Sequence, residues 1–85
     1  MAAITLYTTE NCSKCVGAKA LLEKRGILYQ EINLAKDPDG RAELMARTGM
    51  LTFPQIVVEE ETIGGFEDLI AADRRGRLKH LTAAA

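Results

Sequence analysis

The chain has 85 residues, 47% apolar and 27% charged, with 11 basic and 12 acidic side chains and a formal net charge of −1. A chain this short buries only about 60–65% of its unfolded surface, so it builds one compact core and a single domain over residues 1–85. The balanced charge argues against nucleic acid or an anionic membrane as a partner, and no run approaches the ~20 apolar residues of a membrane span.

Residues 3–8, with Ile4, Leu6 and Tyr7, read as a first strand, and the chain turns at 8–11. From Ser13 to Arg25 the apolar residues Val16, Ala18, Ala20, Leu21 and Leu22 follow one helical face, and Gly26 stands where a helix-terminating glycine belongs. Residues 27–34 are rich in Ile, Leu and Tyr and read as a second strand. Asp37-Pro38-Asp39-Gly40 starts a helix with proline in its first turn, and Ala42, Leu44, Met45 and Ala46 carry it to Gly49. Residues 55–58 form a third strand, and the acidic run 59–61 connects it to a short fourth strand at Thr62-Ile63. Gly64-Gly65 breaks the chain before a last helix over 66–75, which extends loosely past Gly76 to Leu81; residues 83–85 read as a frayed tail. The order β-α-β-α-β-β-α implies an α/β fold: a parallel β-α-β half, then a hairpin and a helix, closing as a four-stranded mixed sheet flanked by three helices.

Chemistry concentrates at Cys12-Ser13-Lys14-Cys15, which holds both cysteines of the chain. The first residues lack a basic segment and reach Thr8, Thr9 and Glu10 too soon for a secretory signal, so a cytoplasmic location is the expectation, where persistent disulfides are rare. Two cysteines three apart also close too short a loop to stabilise a fold much. The spacing therefore points to redox chemistry or metal binding. Zinc needs four ligands, and beyond the two thiols only carboxylates and His80, a residue of a polar basic tail, remain; no metal site is expected. Cys12 falls at the start of the first helix, where unpaired N–H groups and the helix dipole favour negative charge, and Lys14 adds a cation. Both favour the thiolate, which attacks disulfides and also leaves them readily. Cys15, one turn further in, suits a resolving thiol. Thr52-Phe53-Pro54 reads from sequence as a strand start. Gly64-Gly65-Phe66-Glu67-Asp68 reads either as a turn followed by first-turn acids or as a nest of N–H groups for a carboxylate, with Asp68 set to pair with an ammonium.

In this order these blocks resemble the glutaredoxin family over nearly the whole chain: Leu6-Tyr7-Thr8, Cys12-x-x-Cys15, Arg47-Thr48-Gly49, Thr52-x-Pro54-Gln55-Ile56, Ile63-Gly64-Gly65, Asp68-Leu69 and Asp73-Arg74-x-Gly76-x-Leu78. The small bacterial dithiol type is the most similar. The resemblance implies a thioredoxin-like fold, Cys12 as nucleophile, Cys15 as resolving thiol and a cis peptide bond before Pro54. It also implies a glutathione site formed by Lys14, Thr52, Phe53, Pro54, Gly65, Phe66, Glu67 and Asp68. There the Phe53 backbone pairs with the cysteinyl part, the N–H groups after Gly65 hold the γ-glutamyl carboxylate, and Asp68 holds the amino group. The chain differs from the usual pattern at Ser13 and Lys14, where Pro-Tyr is common. It also differs at Thr9 and Glu10, where a lysine often stands, and at Phe53, where valine is common; Lys14 stands as a substitute for the missing lysine.

The expected activity is glutathione-dependent thiol-disulfide exchange on disulfide-containing or glutathionylated proteins by a monomer. Two alternatives use the same cysteines: a redoxin reduced by thioredoxin reductase, and a carrier of a [2Fe-2S] cluster held between two protomers by Cys12 of each and two glutathiones. Ser13 bears on the latter, since proline at that position is thought to hinder the cluster.

Overall fold

The computed structural model describes residues 4–59 and 61–78. Its elements are β1 (Ile4–Thr8), α1 (Ser13–Lys24), β2 (Gln30–Asn33), α2 (Pro38–Thr48), β3 (Gln55–Val58), β4 (Glu61–Gly64) and α3 (Phe66–Arg74). The strands form one mixed sheet in the order β2-β1-β3-β4. β1 runs parallel to β2, with Tyr7 opposite Ile32, and antiparallel to β3, with Leu6 opposite Ile56. β3 and β4 form the hairpin, with an irregularity between Ile56 and Val57. The expected architecture is present. Residue 3, His80, the tail at 83–85 and most of the expected extension of the last helix lie outside the described residues.

Side chains alternate across each strand, so Ile4 and Leu6 of β1 share a face with Ile56 and Val58 of β3. On that face they meet Ala18 and Leu22 of α1, Leu69 and Ala72 of α3, and Leu78. The opposite face carries Gln55, which lines one cavity together with Leu44 and Met45 of α2, so helices cover both faces. α2 starts on Asp37, whose carboxylate accepts from the Gly40 N–H at 2.9 Å, with Pro38 at the first helical position. Arg41 ties α2 to the end of β2 by donating to the Leu34 and Ala35 carbonyls.

Three expectations are corrected. The second strand does not begin at residue 27. α1 ends in a Schellman turn, in which the Gly26 N–H bonds the Glu23 carbonyl and the Ile27 N–H bonds the Leu22 carbonyl. The Ile27 amide is thus spent on the helix, and its side chain packs in the core beside Leu22. Val16 does not face the core. The buried stripe of α1 is Cys15, Ala18 and Leu22, leaving Val16 62% exposed. The last helix stops where Gly76 adopts a φ of +77°, with helical conformation resuming only at residues 77–78.

A candidate redox site at the start of two helices

The turn after β1 sets up the first cysteine. Asn11 lies in the left-handed region (φ +52°), which asparagine tolerates better than most residues, and Cys12 follows in extended geometry as the N-cap of α1. A thiol thus stands where serine, threonine or a carboxylate would normally cap. The Cys12 carbonyl accepts the first helical hydrogen bond from Val16, and its sulfur accepts from the Cys15 N–H at 3.2 Å. On the other side the Cys12 thiol faces the Phe53 carbonyl at 3.8 Å. The two contacts suit different states of the sulfur. The Cys15 N–H strengthens as the sulfur gains charge, whereas the Phe53 carbonyl accepts only while the thiol keeps its proton. Cys12 is partly exposed, Cys15 is 3% exposed, and neither is in a disulfide.

Cys15 is held protonated. Burial, then its hydrogen bond to Cys12, pushes its pKa up to about 11, and the charge of Cys12 adds to this. A backbone hydrogen bond from Thr9 and the charge of Lys19 oppose the rise. Lys19 is held by Glu31 at 3.4 Å, and Glu31 accepts from the buried Thr8 hydroxyl at 2.8 Å.

The other two sequence blocks close on this point. The Phe53–Pro54 bond is cis. Gln55, fully buried at the start of β3, donates its amide to the Met50 and Thr52 carbonyls at 3.0 and 2.9 Å, clamping the loop that carries Phe53. A β-carbon added at Gly65 would lie 3.6 Å from the Pro54 carbonyl, so the glycine pair runs alongside this loop. Gly64 has a φ of +126°, and a β-carbon there would strike the Asp68 carboxylate, which accepts from the Gly65 N–H at 2.9 Å. That bond is the N3-to-N-cap half of a capping box at the start of α3; Gly65 has no side chain to make the other half. The ring of Phe66 lies against Gly17, where a β-carbon would come within 2.9 Å of it, so the two helices approach closely at this point. Lys14 and Glu67 join across 2.8 Å.

Cys12, Cys15, Lys14, Phe53, Pro54, Gly65, Phe66 and Glu67 thus converge. Thr52 belongs to the same loop, with its carbonyl turned to Gln55, and one Asp68 oxygen is engaged with Gly65. The sequence reading gave no role to Gln55, Gly17, Thr9 or Lys19. A glutamine opening an otherwise apolar Gln-Ile-Val-Val strand was the available signal for the first; Gly17 acts only through Phe66, distant in sequence, and Thr9 and Lys19 act on Cys15 through the local fold of the turn and first helix. An apolar hollow of about 260 Å³, lined by Leu44, Met45, Met50, Leu51, Phe53 and Gln55 among others, adjoins the loop. Among the described residues, no group of three or more His, Cys, Asp or Glu side chains is placed to hold a metal ion.

Comparison with known proteins gives consistent results. The family model described as Glutaredoxin matches residues 4–63. A glutaredoxin of Pseudomonas aeruginosa is 42% identical over 84 residues, covering 99% of this chain and 100% of its own. The solution structure of a glutaredoxin from Brucella melitensis superposes with a TM-score of 0.83 at 40% identity, covering 95% of this chain and 88% of that one. The crystal structure of a buckwheat glutaredoxin–glutathione complex superposes with a TM-score of 0.82 at 29% identity, covering 91% of this chain and 73% of that one.

Proposed function

The chain belongs to the glutaredoxin family, whose members are thiol-disulfide oxidoreductases, and from that premise we propose that it reduces glutathione mixed disulfides and protein disulfides at the expense of glutathione. The observation that carries this reading is the Cys12 sulfur, partly exposed at a helix N-terminus, 3.2 Å from the Cys15 N–H and faced by the Phe53 backbone. Cys12 as thiolate attacks the glutathionyl sulfur of a mixed disulfide. The old S–S bond breaks, the protein thiolate leaves and takes up a proton, and glutathione is now bonded to Cys12. A free glutathione thiolate attacks the glutathionyl sulfur of this mixed disulfide, so glutathione disulfide is released and Cys12 leaves as the thiolate.

With a protein disulfide, Cys12 first forms a mixed disulfide with the substrate. Cys15, having lost its proton, then attacks the Cys12 sulfur, closing the Cys12–Cys15 disulfide and releasing the second substrate thiol; two glutathiones reopen it. Capping Cys12 in the mixed disulfide removes its charge and hydrogen bond from Cys15, two of the causes that hold the Cys15 proton. The rise in the Cys15 pKa is thereby reduced, while its largest cause, burial, stays.

Glutathione is a zwitterion with an additional carboxylate. In this reading Thr52, Phe53 and cis-Pro54 line its cysteinyl part, with the Phe53 backbone as partner. The first-turn N–H groups of α3, at Phe66 and Glu67, take the γ-glutamyl carboxylate. Asp68 takes the amino group beside the bond it already makes to Gly65. Lys14 is the cation for the remaining carboxylate. Glutathionylated and disulfide-containing proteins are the substrates, acted on in the cytoplasm by a monomer.

The test is turnover of a glutathionylated peptide with glutathione, NADPH and glutathione reductase. Cys12→Ser is expected to abolish turnover, while Cys15→Ser retains reduction of the glutathionyl peptide and loses reduction of protein disulfides. Near-normal turnover by Cys12→Ser would remove the assignment.

A further inference from the structure

The Glu67 carboxylate already occupies a place that an incoming anion would take. It lies in the first turn of α3 and accepts from the Lys14 ammonium at 2.8 Å, across 53 positions of sequence. That bond, a bond from its own backbone N–H, and the Lys14 charge all hold its carboxyl below the usual range, and Lys14 is raised in turn. Lys14 stands between the two cysteines in the first turn of α1, where the dipole of its own helix disfavours a cation. Its acidic partner from α3 offsets this. The pair is wet, with side chains 58% and 71% exposed. Exposed pairs of this kind contribute little net stability, so this one is weak enough to exchange partners.

We propose that Glu67 determines specificity as an internal competitor: its carboxylate must give up Lys14 before a substrate carboxylate can take it, so the Lys14–Glu67 pair is an exchangeable latch across the mouth of the groove. The proposal rests on the reading of this groove as a site for glutathione-bearing disulfides. A substrate carboxylate that reaches Lys14 replaces one exposed ion pair by another, and the net gain is small. A disulfide without a carboxylate leaves the latch shut and forgoes nothing. The native pair therefore reduces the enzyme's preference for anionic disulfides and keeps neutral ones competitive. Glu67 acts here through Lys14 and through its own backbone N–H; it does not touch the reacting sulfur.

The experiment is single-turnover stopped flow on the reduced full-length chain without free glutathione. One peptide is presented as its glutathione mixed disulfide and as its 2-mercaptoethanol mixed disulfide. For each substrate the half-saturating concentration and limiting rate are obtained for wild type, Glu67→Gln, Lys14→Met and the double variant. At about 20 mM salt, Glu67→Gln is expected to lower the half-saturating concentration for the glutathionyl peptide about 2- to 5-fold relative to the neutral one. The limiting rate is expected to change less than this. The shift should vanish at about 0.5 M salt, where exposed charges are screened within a few Å. It should also be absent between Lys14→Met and the double variant. An equal effect on both substrates, a raised value for the glutathionyl peptide, or a shift that survives in the Lys14→Met background would overturn the latch. Failure of wild type to react with the glutathionyl peptide would instead overturn the functional reading beneath it.

Discussion

Cys15 shows how a side chain that never meets the substrate first can still time the reaction. Its thiol is buried and hydrogen-bonded to Cys12, and both push its ionisation up to about 11 from an ordinary value of 9.0. The Cys15 Cβ chemical shift of the reduced protein should therefore titrate near 11, and a midpoint at or below 9 would contradict the assignment. The same shift acts on stability. Between about pH 9 and pH 11 the unfolded chain has released the Cys15 proton while the folded chain retains it. Stability is then complete below pH 9 and falls as pH rises through 11. A reduced Cys15→Ala variant, followed by urea unfolding, should show a shallower loss over that window than wild type; identical slopes would count against a retained proton.

At the level of elements, the site depends on how α1 and α3 are joined. Near the far end of α1, Arg25 meets Asp73 of α3 in a two-pronged contact, with both N–H···O distances at 2.8 Å. This is the geometry in which an ion pair contributes more than the usual surface value. Replacing Arg25 by Met is expected to lower the midpoint of urea denaturation; an unchanged midpoint would show that the pair contributes nothing. At the active end, Gly64→Ala would force a side chain into the left-handed region and against Asp68. We expect a loss of about 1–2 kcal/mol together with a raised KM for the glutathionyl substrate, and an unchanged KM would detach the capping box from binding. Local chemistry made most of these elements legible in the sequence: Pro38 after Asp37, Gly26 and Gly49 at helix ends, and the Gln55–Val58 run. What was not legible required tertiary context. Ile27 has the composition of a strand residue, yet its amide closes the end of α1. Val16 is as apolar as Leu22, yet it lies off the stripe that reaches the sheet, which runs through Cys15, Ala18 and Leu22.

Over the whole molecule, one face of a small sheet carries the core. Leu22 is fully buried there among Ala18, Leu69 and the β1 and β3 side chains. Leu22→Ala should cost about 2–5 kcal/mol, a large share of the roughly 4–13 kcal/mol expected for a chain of this length. We expect its Tm to fall by at least about 10 °C; a shift of one or two degrees would mean that the core is not organised around α1. The site has the same origin in the overall topology. The cysteine pair was recognisable from its spacing as a redox or metal site, and the shortage of further zinc ligands left redox chemistry. Its meeting with Thr52–Pro54 and Gly64–Asp68 followed from family resemblance and from no local pattern. The Lys14–Glu67 and Gly17–Phe66 contacts join residues about 50 apart, and neither was legible beforehand. Everything functional returns to the sulfur of residue 12. The most direct measurement is mass spectrometry of reduced Cys15→Ser protein mixed briefly with a glutathionylated peptide and quenched in acid. One glutathionyl group on Cys12, with release of the free peptide thiol, is the expected result; an unmodified Cys12 alongside released peptide would contradict it.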